Sequence, residues 1–337
     1  MPISEVSIYM MLAAACAALA SWVLIYLLRP WLIEILLAIP NHRSSHRAPV
    51  PQGGGMGVVV SVLLTLGAGQ GAGLINLGAI SWLLLGMVGL MLLGAVDDYR
   101  PLSWKLKLVI QFVCAWMACL NLPDNVFLQN PTGIVIACVL LVTVINFVNF
   151  IDGIDEISVA HSLPTLAVAI VFSLLLPAAL EWGALAVTLM AALIGFWFWN
   201  RHPAQVFLGD SGSLPLGLAL GWFALLFAIQ FNPLIGMLML AYPVGDAGTT
   251  LVRRALARRA LTVPHRWHAY QQAVDKGVFP RAVALRVGIL STLAGCLAIV
   301  AVHFPNVLIA MAGVLLVSLA VGLQISWWLL THSGRGL

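Results

Sequence analysis

The stretch Gly133-Ile-Val-Ile-Ala-Cys138-Val-Leu-Leu-Val-Thr143-Val-Ile-Asn146-Phe-Val-Asn149-Phe-Ile-Asp152-Gly153-Ile-Asp155-Glu156 decides the fold. It opens as an uninterrupted apolar run and ends in two amides and four acids or turn residues. An ionisable residue at a membrane boundary is a functional residue by default, because it costs free energy there. Positions three apart share a helix face, so Asn149 lies beside Asn146 and Asp152. With about 3.6 residues per turn, steps of three drift around the helix and the stripe leaves that face. Gly153 is expected to open the last turn and re-aim Asp155. A helix end that merely reaches water explains this less well, since acids are disfavoured at a helix C-terminus.

The composition agrees. The chain has 337 residues, of which 62% are hydrophobic and 8% charged, with a mean hydropathy of +1.03. Soluble domains carry about a quarter charged residues. The chain therefore reads as an all-α polytopic membrane protein, one membrane-embedded domain over residues 1–337, with no polar stretch long enough for a soluble core. Cys16, Cys114, Cys119, Cys138 and Cys296 all lie within apolar runs and form no CxxC, so they read as packing residues. The first basic residue is Arg29, so the N-terminal apolar run reads as a retained span.

About 20 apolar residues cross a bilayer. Eleven runs qualify, at roughly 6–28, 55–73, 78–96, 104–122, 132–151, 157–176, 183–200, 213–231, 234–252, 285–303 and 307–330. With the N-terminus periplasmic and the C-terminus cytoplasmic, all 16 Lys and Arg fall in or beside cytoplasmic segments. The basic balance is then explained by topology and anionic membrane lipids, without nucleic acid. Glu5, Asp124 and Glu181 occupy the opposite side.

This arrangement puts every distinctive motif on one face. Asp97-Asp98 follows the third span; adjacent like charges need cations nearby, and Arg100, Lys105 and Lys107 are available. A solvated helix end is the plainer reading of that pair. Phe207-Leu-Gly-Asp210-Ser-Gly-Ser213 sets an acid between glycines that let backbone amides approach a phosphate. One carboxylate with phosphate oxygens is a common way to hold magnesium, and a capped turn is the plainer alternative. His265-Arg266-Trp267-His268 could bind a sugar pyrophosphate, or form a solvated loop with an interfacial Trp. Arg253, Arg254, Arg258 and Arg259 read as head-group anchors. His42, His46, His161 and Asp246 are weaker candidates, and Pro243 and Gly245 suggest a broken span around Asp246. Together the motifs suggest a magnesium and pyrophosphate site with a lipid as second substrate.

Four motifs in this order resemble the polyprenyl-phosphate N-acetylhexosamine-1-phosphate transferases, over about Asn41 to His268. The paired aspartates, the Asn-x-x-Asn-x-x-Asp-Gly-x-Asp stretch, the Phe-x-Gly-Asp-x-Gly-Ser stretch and the histidine-rich loop each have a counterpart in that family. The resemblance implies that Asp210 is the magnesium ligand, with Mn2+ as a substitute ion. It implies that Asp97 and Asp98 serve the polyprenyl phosphate or the metal, and that Asn149 and catalytic Asp152 lie in the nucleotide site. Asp155 would meet uracil, Phe207 would stack on that ring, and Lys107 would bind phosphate. His265 would act on the sugar-pyrophosphate side, with Arg266 and His268 beside it. The implied partners are undecaprenyl phosphate, a UDP-N-acetylhexosamine and membrane lipid, in a bacterial inner membrane with the site on the cytoplasmic face. A homodimer is left open.

The sequence departs from the family in three places. Glu156 stands where the family usually has Gly, two histidines remain of the usual three, and the residues directly before Pro40 are Ala38 and Ile39 where the family often has an acid. Loop sequence and span number look nearest to the O-antigen-initiating branch, rather than the peptidoglycan branch. A secondary transporter of an anionic substrate is the alternative; it needs a midplane site and an internal repeat, and neither is visible. A structural scaffold would not explain the boundary acids.

Overall fold

In lipid each backbone polar group must be satisfied within its own segment, so the apolar runs have helix as their solution. The computed structural model describes residues 3–39, 48–123, 128–176, 180–261, 263, 265–304 and 307–330. In chain order the helices are α1 (Ile3–Ile35), α2 (Gly54–Gly71), α3 (Ser81–Tyr99), α4 (Trp104–Cys119), α5 (Pro131–Ile151), α6 (Ile157–Leu175) and α7 (Leu180–Asn200). They continue with α8 (Asp210–Gln230), α9 (Pro233–Met239), α10 (Ala241–Leu256), α11 (Ala269–Asp275), α12 (Pro280–His303) and α13 (Val307–Leu330). Ser103, Asn130 and Asn232 cap α4, α5 and α9, each accepting from a backbone N–H of the first turn.

Each of the eleven expected runs is helical, but not all are full spans. Among the described residues 9 helices are long and apolar enough to cross a membrane, and α9 with α10 makes a further pair bent by 81°. The break falls at Leu240, before Pro243. Pro243 sits in the first turn of α10, where its missing N–H costs nothing. The remaining run, α4, has 16 residues. At about 1.5 Å per residue it reaches about 24 Å, short of the ~30 Å apolar layer.

Helix α8 is the axis of the bundle: 83% of its apolar window is buried, against 28% for α13. It packs against α2, α3, α5 and α9. Small residues make this possible, because without a hydrophobic drive between helices in lipid, close backbone approach provides the attraction. A Cβ on Gly55 of α2 would overlap the backbone of Gly212, and one on Gly94 of α3 would overlap the Asp210–Ser211 peptide.

Alternating helix direction gathers one set of ends together. The C-terminal ends of α3, α5 and α7 meet the N-terminal ends of α4, α6 and α8 through Lys107–Asp97, Asn149–Asp210 and Glu156–Asn200 contacts. At this end β1 (Leu37–Ala38) pairs antiparallel with β2 (Val50–Pro51), and Gln52 bridges to Phe207. Helix α11 lies here too, and Lys276 after it donates Nζ to the carbonyls of Trp328 (3.1 Å) and Leu329 (2.6 Å) at the end of α13. At the far end Glu181 accepts from the Asn76 N–H, and Asn121 accepts from the Leu83 N–H. Pro40, Asn41, His42, Arg43, His46, Arg47, Asp124 and Arg335 lie outside the described residues.

Candidate active site

The site is built on the start of α8. Gly209 has φ +73°, and the helix begins at the next residue, Asp210. A helix start leaves amides unpaired and carries partial positive charge. Asp98, from the end of α3, meets both needs. Its Oδ1 accepts from the Asp210 N–H (3.0 Å) and its Oδ2 from the Ser211 N–H (3.2 Å). Gln52 in turn donates to the Asp98 carbonyl (3.1 Å). Asp98 faces the cavity described below, yet both carboxylate oxygens are engaged in aiming α8.

Asp210 is thereby fixed among three other helices. Asn149 Nδ2 donates to Asp210 Oδ1 (2.7 Å) and to Ser213 Oγ (2.8 Å). Lys107 Nζ lies 2.8 Å from Asp97 Oδ2 and 3.7 Å from Asp210 Oδ2. The other Asp97 oxygen accepts from the Leu102 N–H (2.7 Å). Asp97, Lys107, Asp210 and Asn149 thus form one polar line drawn from α3, α4, α8 and α5. Asn146 is not part of it; its amide donates to Gln111 Oε1 on α4 (2.7 Å).

Beyond this line lies a cavity of about 1000 Å³. Asp98, Asn149, Asp152, Asp155, Phe207 and Asp210 all contribute to its wall. Asp152 accepts from Ser158 Oγ at the start of α6. Burial, with the Asp210 charge adding to it, pushes the Asp152 carboxyl up to about 7 against the pull of the Ser158 bond. Asp155 Oδ2 is held by His202 Nδ1 (2.7 Å) and by the Ala204 N–H (3.1 Å). Phe207 is placed by backbone bonds to Pro51 and Gly54.

Gly153 proves to be a matter of space. No left-handed φ is found there; a Cβ would overlap the Tyr270 hydroxyl, which donates to the Phe150 carbonyl (2.8 Å). The left-handed residue is Glu156, with φ +67°. That conformation favours glycine, which accounts for the Gly usual in the resembling family.

The histidine loop meets the site from the other side, and His265, Arg266 and His268 do not line the cavity. His265 and His268 stack at 5.0 Å, and His268 lies 5.9 Å from the Phe150 ring. Burial, together with the neighbouring His268 and Arg254, lowers His265 to about 4, so it is neutral at physiological pH. Arg266 pairs with Asp275 of α11, its Nε 3.1 Å from Oδ2. Asp246, fully buried on α10, ties the loop down. It accepts from the N–H groups of Ala269 (3.0 Å) and Tyr270 (3.2 Å) and from the Tyr242 hydroxyl (3.1 Å). Arg254 departs from the head-group expectation: it is 5% exposed and donates to the carbonyls of Ala260 and Val263, under Trp267.

Sequence reasoning missed His202. It sits alone in Asn200-Arg-His-Pro-Ala204, and its partner is remote in sequence. The one signal was its place just ahead of the Phe207 motif.

The model of glycosyl transferase family 4 matches residues 80–228, from the turn before α3 to near the end of α8. Over those residues the chain is similar to glycosyl transferase family 4. Its relatives include a probable undecaprenyl-phosphate N-acetylglucosaminyl 1-phosphate transferase of Bacillus subtilis (strain 168), 25% identical over 86% of this chain and 85% of that protein. A phospho-N-acetylmuramoyl-pentapeptide-transferase of Thermoanaerobacter sp. (strain X514) is 33% identical over 47% of this chain and 57% of its own length. One of Heliobacterium modesticaldum is 28% identical over 64% and 75%. The family match covers the polar line and most of the cavity wall, and stops short of the histidine loop.

Proposed function

We propose that this protein transfers an N-acetylhexosamine 1-phosphate from a UDP-sugar to undecaprenyl phosphate. A lipid phosphate oxygen attacks the β-phosphorus, the bond from that phosphorus to the bridging oxygen breaks, and UMP leaves. The observation that carries the reading is the line Asp97–Lys107–Asp210–Asn149 beside a cavity lined by Asp152, Asp155 and Phe207. The relatives' names support it, since both kinds act as phosphosugar transferases. Phosphoryl transfer asks for positioning and cations rather than covalent chemistry by the protein. Lys107 provides a fixed cation, held by Asp97 so that it faces Asp210. Asp152, with its carboxyl near 7, exchanges a proton readily at neutral pH.

Among the described residues no group of three or more His, Cys, Asp or Glu could hold a metal by itself. Magnesium does not require one: it is usually bound by one or two carboxylates with substrate phosphates and water. Asp210 fits that mode, as a hard oxygen donor on the cavity wall whose Oδ2 lies 3.7 Å from Lys107 Nζ. Bound there with the phosphates, the ion would neutralise their charge. We place this end of the bundle at the cytoplasmic side of a bacterial inner membrane, on the charge pattern, and the reaction at the first step of O-antigen or related surface polysaccharide. The transporter reading is not favoured, because one bent pair, α9 with α10, has no matching second pair among the described residues.

The test is turnover in nanodiscs with undecaprenyl phosphate and a panel of radiolabelled UDP-N-acetylhexosamines. Label should pass to the lipid with release of UMP, stop with a chelator and return with magnesium. Label that stays on the nucleotide for every donor overturns the proposal. Single-cysteine labelling at Asn125 and Ser333 in intact cells tests the orientation, which fails if only Ser333 is reached from outside.

A further inference from the structure

Two consecutive acids grip one histidine. Asp155 Oδ2 accepts from His202 Nδ1 (2.7 Å), and Glu156 Oε1 accepts from the His202 N–H (3.0 Å). Glu156 is itself immobilised: its Oε2 accepts from Trp197 Nε1 (3.1 Å), and its own N–H donates to Asn200 (2.8 Å). Those bonds offset the left-handed backbone that a glycine would take without strain. The His202 ring also meets Phe279, ahead of α12, edge to face at 4.7 Å. Side chains around residue 202 therefore hold one rotamer, and Asp155 is held with it.

The consequence is an asymmetric carboxylate. Asp155 Oδ2 is saturated by His202 and by the Ala204 N–H, while Oδ1 accepts no hydrogen bond among the described residues and the side chain lines the cavity. A fixed, acceptor-only oxygen pairs with an N–H flanked by carbonyls, as in uracil. It repels the N3 lone pair that cytosine presents at the same position. A site built on hydrogen bonds rejects an analogue that cannot complete them far more strongly than an apolar pocket does.

We propose that His202 sets the choice of nucleobase, by fixing Asp155 so that its free oxygen accepts from a uracil-type imide and excludes cytosine. This rests on the reading of the cavity as a UDP-sugar site. His202 acts through Asp155 and is a positioning residue.

The experiment is calorimetric titration of UMP and CMP into the purified full-length protein, for the wild type, Asp155→Asn, His202→Ala and His202→Asn. The wild type should prefer UMP. His202→Ala should cut that preference about tenfold, chiefly by weakening UMP. His202→Asn, whose amide can still donate to Oδ2, should keep part of it and decides the matter should His202→Ala fail to fold. A merely structural role would weaken both nucleotides equally, and that result overturns the proposal. So does an unchanged preference in His202→Ala when Asp155→Asn abolishes it, which leaves the UDP-sugar site standing. A wild type that binds neither nucleotide, or both alike, removes the UDP-sugar reading itself.

Discussion

Asp98 and Asp246 perform one act on two very different helices. Each is a carboxylate from another helix that accepts from the first amides of its client, Asp98 for α8 and Asp246 for α11. Helix α8 has 21 residues and is buried on nearly all sides, whereas α11 has 7. A helix that long and that packed forms without help; one of seven residues is far below the ~12 needed for independent stability. Asp98 therefore decides where α8 points, and Asp246 decides whether α11 exists. The same chemical device serves aim in one wall of the cavity and existence in the other.

The largest expected effect tests what Asp98 aims. Asp210→Asn should lower turnover about a thousandfold, the cost of removing a preorganised charge from a reacting centre. Its melting temperature should stay near that of the wild type. Near-normal turnover would remove Asp210 from the chemistry and leave the aim of α8 without a purpose.

The comparison itself is broken or kept by Asp98→Ala beside Asp246→Ala. Asp98→Ala should lose about a hundredfold in rate, about 2.7 kcal/mol of transition-state stabilisation, while its melting curve hardly moves. Asp246→Ala leaves buried donors unpaired and should cost about 3 kcal/mol of stability. Trypsin should then cut near Lys276 faster than in the wild type, where Nζ is held by the carbonyls of Trp328 and Leu329. Equal melting and equal protease sensitivity in the two variants would erase the distinction.

Tyr270→Phe probes the same wall more gently. It removes one hydrogen bond, to the Phe150 carbonyl, and should cost about 1 kcal/mol. Combined with Asp246→Ala it should add little, because the helix that carries it has already been released.

The smallest effect is a slope with pH. Asp152 is raised from its ordinary value to about 7 in the folded protein, so the fold binds a proton that the unfolded chain has already lost. That contribution is complete below the ordinary carboxylate range and fades as pH rises through about 7. Denaturation across that interval should show stability falling with pH, and Asp152→Asn should flatten the fall.

Much of this was legible because lipid makes polar residues conspicuous. Asp97, Asn149, Asp152, Asp155 and Asp210 stand out against apolar runs, and the positions of those runs led directly to the helices. What stayed hidden depends on which backbones touch. Asp98 looks identical to Asp97 in sequence, and only the approach of α3 to α8 at Gly94 gives it a different task. Arg254 reads like Arg258 in a basic tract, yet it turns inward to loop carbonyls. His202 carries no periodic signal, because its role comes from a partner that the chain brings back after all of α6 and α7. The bend at Leu240 was expected from Pro243 and Gly245, although Pro243 begins the second helix instead of ending the first.

Gly153 and Tyr270 fit together as lock and key: the space a side chain would fill at 153 is already occupied by the phenol of 270. Neither segment can be redesigned by itself. A chimaera that imports the α5–α6 turn from a relative with a bulkier residue, or the α11 segment from one with a different ring, inherits half of a matched pair. The two pieces of chain, more than a hundred positions apart, form a single heritable unit that protein engineers must move together.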